Sequence, residues 1–438
     1  MTVNRSQPVA SPNEPTAKEH PAAKEHPTAK EHKGLLVGAA AMMTGGILTT
    51  FLSPLLAVSF AKEFDFGIEA AGLLVSGGLG GVALSAFAIL PFLPRLDRRA
   101  VGVAGAILAA ACLALTGFAS TFVMVLALQV AMGMGAGLCY ACANSALAYA
   151  RHPERAFSIV TITWMLAGAV MLTLGPTLHT LWPKVGICLG LAAAELICVI
   201  FMTRLCDVRT LPAEELSAAR LKDEARGQRD SPATAPTPVS VSTGIVGPAA
   251  MLIGAAWLLQ GGNLMVWTFA ESIGVQTGLS AQSTAIFLGL SQLMGLIGAG
   301  ITLAFGARIG KMILIVPAVL TLAIGNLLVG TASSPTLFIV GFLAVSIAYF
   351  CLTPLLLALA AELDTHSGQL VVLVGAGALV AGGVAPAIGG WIAGTDEHWP
   401  RLGVTALAAV LLTLPLLIPP VRTARRRMTL PAEASQAR

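Results

Sequence analysis

The sequence predicts an all-α membrane protein with twelve transmembrane helices in two six-helix, pseudo-symmetric bundles. Three observations predict it. First, 56% of the 438 residues are hydrophobic and 11% are charged, whereas a soluble domain averages about 25% charged residues. A chain this apolar has no means of covering a water-facing surface. Second, the charges are segregated. Residues 34–61, 70–94, 156–183, 272–307, 365–395 and 402–421 contain no Asp, Glu, Lys or Arg. About 20 apolar residues let a helix cross hydrocarbon, where only helices or closed barrels satisfy their own backbone. The runs are continuous rather than alternating, so they are helices. Third, the charge-free runs 100–150 and 312–361 are each too long for one crossing. Both must be hairpins, and they break at matching places, TGFASTF (116–122) and VGTASSPT (329–336). Internal repetition of a six-helix half explains the match.

Residues 1–33 form a polar tail. PTAKEH, PAAKEH and PTAKEH fill 15–20, 21–26 and 27–32. Proline every sixth residue opposes a helix and no apolar face exists to bury, so a solvated, disordered extension is expected. His20, His26 and His32 repeat within it, but a metal-binding or pH-sensing role is the less favoured reading. Spans 1 to 6 are expected at 34–60, 70–93, 100–119, 122–149, 157–179 and 185–203, the first half covering 34–203. A connection, 204–244, follows, charged at first and then Pro/Ser/Thr-rich, as linkers are. Spans 7 to 12 are expected at 245–270, 282–304, 312–331, 337–361, 370–393 and 402–420, the second half covering 245–420, with a basic tail from 421 to 438.

Orientation follows from Lys and Arg. With the N-terminus inside, inner segments hold 23 basic residues and outer segments hold three: Lys62, Lys184 and Arg401. Both termini are therefore expected in the cytoplasm, and the expected location is a bacterial inner membrane. Six of seven cysteines lie in apolar runs. Cys139 and Cys142 have CxxC spacing but no His or acid beside them in sequence, so small buried hydrophobes are the reading, with no metal site.

Twelve spans, two halves, a long central inner loop and both ends inside resemble the major facilitator superfamily of secondary transporters. The resemblance covers 34–420. Members carry a G-x-x-x-D-R-x-G-R/K loop between helices 2 and 3 and a weaker copy between helices 8 and 9. LPRLDRRAV (93–101) keeps Asp97 and Arg98 but has Leu93, Ala100 and Val101 in place of Gly, Gly and a base. LAFGARIGK (303–311) keeps Arg308, Gly310 and Lys311 but has Ala307 in place of the acid. Such a loop gates by pairing with charges on neighbouring helix ends in one conformation only. Arg151 and Arg155 are candidate partners for Asp97, and Glu362 and Asp364 for Arg308 and Lys311; solvated membrane anchors are the alternative. Marks of subfamilies are missing. Span 4 lacks the arginine of proton-coupled drug exporters, span 5 has only Gly175-Pro176 of their G-P-x-x-G-G, and span 1 lacks the acids of aromatic-acid importers.

The resemblance implies that spans 1, 4, 7 and 10 line a central path. Each carries polar residues. Span 1 has Thr49 and Ser53; span 4 has Gln129, Tyr140 and Asn144; span 10 has Ser346, Tyr349 and Thr353. In span 7, Gln260, Asn263, Trp267 and Glu271 are three and four apart, on one helical stripe. Polar groups at bilayer depth usually face the bundle interior or water, although Ser and Thr also bond to their own helix. Glu271 ends the stripe, either as a proton-coupling carboxylate in a partly dry cleft or as a hydrated group at the outer mouth. Glu195 lies mid-span in span 6, a helix the resemblance places at the periphery. It is a second proton-coupling candidate, the alternatives being a pair with a neighbouring helix or an oligomer contact. No Lys or Arg lies inside a span, which disfavours phosphate-bearing solutes.

The expected function is secondary active transport of a small amphipathic solute, neutral or cationic, by alternating access, coupled to protons, with efflux slightly favoured. Proton-driven import of a small organic acid or aromatic metabolite is the alternative. A non-transporting sensor or a membrane-embedded enzyme is the alternative of another class. The chain has no GxxxxGK[ST] loop and no HExxH or comparable grouping, so neither ATP hydrolysis nor catalysis is expected. Expected partners are the solute, protons and lipid, without cofactor or nucleic acid; the oligomeric state is left open.

Overall fold

A computed structural model describes residues 29–93, 95–147, 153–183, 185–205, 243–306, 311–363 and 369–436. Residues 206–242 of the central connection, Arg151, Arg308, Asp364, His20 and His26 lie outside the described residues. The described chain is helical, without strands.

Span 1 comprises α1 (Ala29–Phe51), α2 (Ser53–Val58) and a π-helical turn, Ser59–Glu63. Spans 2 to 6 are α3 (Gly67–Ile89), α4 (Arg98–Thr116), α5 (Phe122–Leu147), α6 (Pro153–Leu181) and α7 (Gly186–Met202). Span 7 is α8 (Thr243–Thr268) with α9 (Ala270–Gln276). Spans 8 to 11 are α10 (Ala281–Phe305), α11 (Lys311–Gly330), α12 (Pro335–Leu363) and α13 (Gln369–Ala393). Span 12 is α14 (Trp399–Leu411) with α15 (Thr413–Gln436). Among the described residues, eleven helices are long and apolar enough to cross a bilayer, and α7, at 17 residues, is a shorter apolar helix. Both hairpins break where the sequence places the break, α4 ending at Thr116 and α11 at Gly330. Helix α1 begins at Ala29, inside the third repeat and past its last proline, Pro27. At the other end α15 carries the basic tail as helix to Gln436.

Within each half the helices approach closely through small residues. A Cβ on Gly133 of α5 would overlap the Gly78 carbonyl of α3, so the two backbones touch there. Between the halves there are two seams, α3 against α13 and α6 against α10.

The two ends of the bundle differ. At the end away from the termini, one continuous apolar core joins both halves, from Phe51–Phe64 and Ile187–Ala192 to Val266–Ile273, Phe338, Phe342 and Trp399. At the end that carries the termini the core is divided. One cluster belongs to the first half (Leu35–Met43, Cys139–Leu147, Met202) and another to the second (Leu252–Leu259, Leu352–Leu363, Leu417). A small patch around Ala86, Leu93 and Ala141, with Leu379 against it, lies between them. The bundle is sealed at its far end and split at its terminal end.

Candidate functional site

Beneath the far-end seal lies a cavity of about 310 Å³ between the halves, lined from α1, α3, α5, α6, α8, α10, α12 and α13. None of its described lining residues is charged. Phe51, Trp164 and Trp267 form its far-end wall. Phe51 meets Trp164 edge-on at 4.9 Å and Trp267 at 6.0 Å, and Trp267 leans on Phe342 at 6.0 Å. Edge-to-face pairs at these separations are favourable beyond their buried area. This wall bridges the halves.

The wall depends on a proline. Pro54 has no N–H, so the Thr50 carbonyl one turn earlier loses its helical partner, and α1 breaks at Leu52 (φ −90°, ψ 10°). The Trp267 Nε1–H donates to that Thr50 carbonyl across the halves at 3.4 Å. Among the described residues, two further hydrogen bonds cross between the halves, each within a turn of a proline. Gln282 Nε2 donates to the Thr173 carbonyl at 3.0 Å, near Pro176. The Ala387 N–H, next to Pro386, donates to Ser76 Oγ at 2.8 Å.

The polar floor comes from the second half. Tyr349 Oη donates to Gln260 Oε1 at 2.6 Å, with Asn263, Ser346, Thr353 and Gln292 also lining the cavity. The Gln260 side-chain NH₂ and a buried Asn263 oxygen without a partner remain to meet a solute. Thr353 bonds to its own helix at Tyr349 O, 3.0 Å.

Several predicted residues stand elsewhere. Of span 4, Tyr140 lines the cavity and Gln129 does not. Gln129 Nε2 donates to Thr116 Oγ1 at 3.3 Å, because the outer part of α5 packs on α4, where that hydroxyl is the available acceptor. Asn144 lies outside the lining and donates to its own helix at Tyr140 O, 2.9 Å. Thr49 and Ser53 are buried, without hydrogen-bond partners, and outside the lining. Gly46, Ile47, Thr50 and Phe51, spaced one and three to four apart on one stripe of α1, face the cavity instead. The span 7 stripe is cut after Trp267. Phe269 leaves helical geometry (φ −104°, ψ 12°), and Glu271 turns into a separate cavity. Gln292 and Trp164 were legible as a polar and an aromatic residue within apolar runs; Thr50 and Gly46 carried no such signal.

Glu195 does not face outward. It is 0% exposed, and its carboxyl fills the notch left by Gly45 of α1, with no hydrogen-bond partner for either oxygen. Asp97 caps α4, its Oδ1 accepting from the Arg99 N–H at 2.9 Å, and Arg98 is the first residue of that helix. Arg155 lies in the first turn of α6. Lys311 at the start of α11 forms an ion pair with Glu362 of α12.

The sequence matches the Major Facilitator Superfamily over residues 35–369. No curated protein matches it. The fold is similar to that of a bacterial homolog of the human lysosomal transporter Spinster, in an inward-facing and unoccupied conformation. Identity is 14%, coverage is 91% of this chain and 98% of that one, and the TM-score is 0.63. It is similar also to a D-xylose–proton symporter (15% identity, 89% and 97% coverage, TM-score 0.62). A variant of the peptide transporter POT is a third likeness (15%, 90% and 95%, 0.66). At these identities the likenesses establish the fold, and with the sequence match over most of the chain the conclusion is plain: the chain belongs to the major facilitator superfamily of membrane transporters.

Proposed function

We propose that this transporter moves a small amphipathic solute, neutral or cationic, by alternating access coupled to protons, and that it works in efflux. The observation that carries the reading is the uncharged cavity with an aromatic wall and a single amide–phenol pair, Gln260–Tyr349. An anionic solute would be held there without a counter-charge, which low-dielectric surroundings penalise. An apolar or cationic aromatic surface suits Trp164 and Trp267. The excess of basic residues on the side of the termini supports both ends lying in the cytoplasm; the described state is then open inward. Asp97 and the Lys311–Glu362 pair stand at that inner face as gating groups. Thr49, Ser53, Gln129 and Asn144 act in this reading as packing residues.

Glu271 and Glu195 support the proton coupling: each is a buried carboxyl with at least one unpartnered oxygen, and ionisable groups at bilayer depth mark proton and ion pathways. Purified protein in liposomes, loaded with a panel of lipophilic cations and neutral aromatics, tests the reading. Counterflow of one class that is driven by a pH gradient and lost on its collapse is the expected result. Flux of organic anions alone would overturn it. Glu271→Gln is expected to abolish gradient-driven flux and to leave solute exchange intact.

A further inference from the structure

A second cavity, of about 180 Å³, lies at the far end on the other side of the aromatic wall. It is enclosed by the span 1 break, the ends of α6 and α7, α9 and the start of α10. Leu55, Val58, Pro176, Ile187 and Ala281 give it apolar sides, and Ser59, Thr177 and Gln282 add polar atoms. Thr177, Thr180 and Ala281 at its rim are exposed. Glu271 is its carboxylate. The side chain is 5% exposed, and Oε2 is fully buried without a hydrogen-bond partner.

We propose that this pocket is a second ligand site, for a small monovalent organic cation of the alkylammonium class, with Glu271 as its counter-ion. A buried carboxylate without a partner needs a cation or a proton, and the volume admits a group about the size of six waters. Apolar walls around one acid favour an alkylated ammonium over a metal ion, which demands several oxygen ligands. Among the described residues no group of three or more His, Cys, Asp or Glu could hold a metal. The titratable and charged groups that face Glu271 are few. Lys62 is an exposed cation near the rim that acts on it through space, and His179 lines the same pocket. Helices α2, α8 and α10, which pack against α9, contribute no charged residue, and Lys311 of α11 lies at the opposite end of its helix. Cation and proton therefore compete for one carboxyl, and binding weakens as pH falls. The site is distinct from the solute cavity and does not depend on what that cavity carries.

The test is titration calorimetry of the full-length protein in detergent with tetramethylammonium chloride at pH 8.5, against equal sodium chloride and neutral tert-butyl alcohol. Saturable binding of tetramethylammonium is expected, and neither control should reproduce it. Affinity should fall at least tenfold in Glu271→Gln and on lowering the pH to 5.5. Glu271→Asp should keep the pH dependence, as should His179→Asn, which removes the other titratable neighbour. Thr177→Trp, which fills the pocket from an exposed position, should abolish binding without touching the acid, and so serves even if the Gln variant fails to fold. Gln260→Ala, in the solute cavity, should change affinity less than twofold. Absence of saturable binding, binding that survives both Glu271→Gln and Thr177→Trp, or binding lost in Gln260→Ala would overturn the proposal. Solute flux in the unaltered protein that no pH gradient drives would count against proton coupling and leave this site standing.

Discussion

The two seams between the halves occupy equivalent places in a pseudo-symmetric fold, yet they are built differently. Along α3 and α13 the backbones themselves meet. A Cβ on Gly72 would fall 2.4 Å from the Pro386 carbonyl oxygen, and one on Gly383 2.9 Å from the Gly80 Cα. Along α6 and α10 the backbones stand farther apart, a Cβ on Gly289 falling 3.1 Å from the Ala169 carbonyl oxygen, and a side chain, Gln282, reaches across to the Thr173 carbonyl. Space is left between α6, α10 and their neighbours for the Glu271 pocket. Repetition of a fold thus fixes where the halves touch without fixing how. One seam has the build of a pivot, the other of a compartment.

Substitutions rank the difference. Gly72→Ala should have the largest effect, because a backbone carbonyl cannot step aside. Overpacking of this kind costs about 1–3 kcal/mol, read as a lowered thermal midpoint together with loss of solute counterflow. Gly289→Ala in the other seam, whose Cβ would stand 3.1 Å from the Ala169 carbonyl oxygen, should cost clearly less. Equal losses would erase the distinction. Next comes the cavity shared by both halves. Gln260→Ala deprives the Tyr349 phenol of its acceptor, and a buried group left unsatisfied costs about 1–3 kcal/mol. The amide lost is also one hydrogen bond fewer to the solute, which predicts an apparent solute affinity weaker by up to about tenfold in counterflow, with a smaller effect for Tyr349→Phe. Ser76→Ala strands the Ala387 N–H at the tight seam and should lower stability by about 1 kcal/mol. Gln282→Ala should be mildest, about 0.5 kcal/mol, since it frees a half-buried carbonyl that water can reach. An order reversed between Ser76→Ala and Gln282→Ala would mean that the α6/α10 seam is the tighter one.

The fold was legible because hydrocarbon imposes its rule on every residue of a span. Charge-free runs and two hairpin breaks at TGFASTF and VGTASSPT suffice to count crossings. The site was legible only in part. In the second bundle, Gln260, Asn263, Ser346 and Tyr349 of the span 7 and span 10 stripes converge on the cavity as helical spacing predicts. The first half misled, because a polar residue at bilayer depth has two ways to be satisfied. Gln129 took the neighbouring Thr116 hydroxyl and Asn144 its own helix, and spacing alone does not tell such a bond from a cavity wall. Register changes were legible at one of two places. Pro54 announces the break at Leu52, whereas the break at Phe269 depends on what packs beside it and has no proline or glycine at its position to announce it. The second decides that Glu271 leaves the cavity. The placement of Glu195 followed from Gly45, a missing side chain on another helix, which no local pattern in span 6 records.

The Trp267 indole bound to the Thr50 carbonyl has a consequence for how easily the far end comes apart. The acceptor is a main-chain oxygen already released by Pro54, so separating the helices strips no turn of its internal bonding. A water molecule entering the gap offers that oxygen a hydrogen bond of nearly equal enthalpy. The indole N–H is likewise served by the solvent that replaces its partner. Hydration thus compensates the rupture on both sides, and the barrier that remains is mostly the wetting of the aromatic rings, so the rate of opening should track the polarity of the residue at position 267 more closely than the strength of any hydrogen bond there.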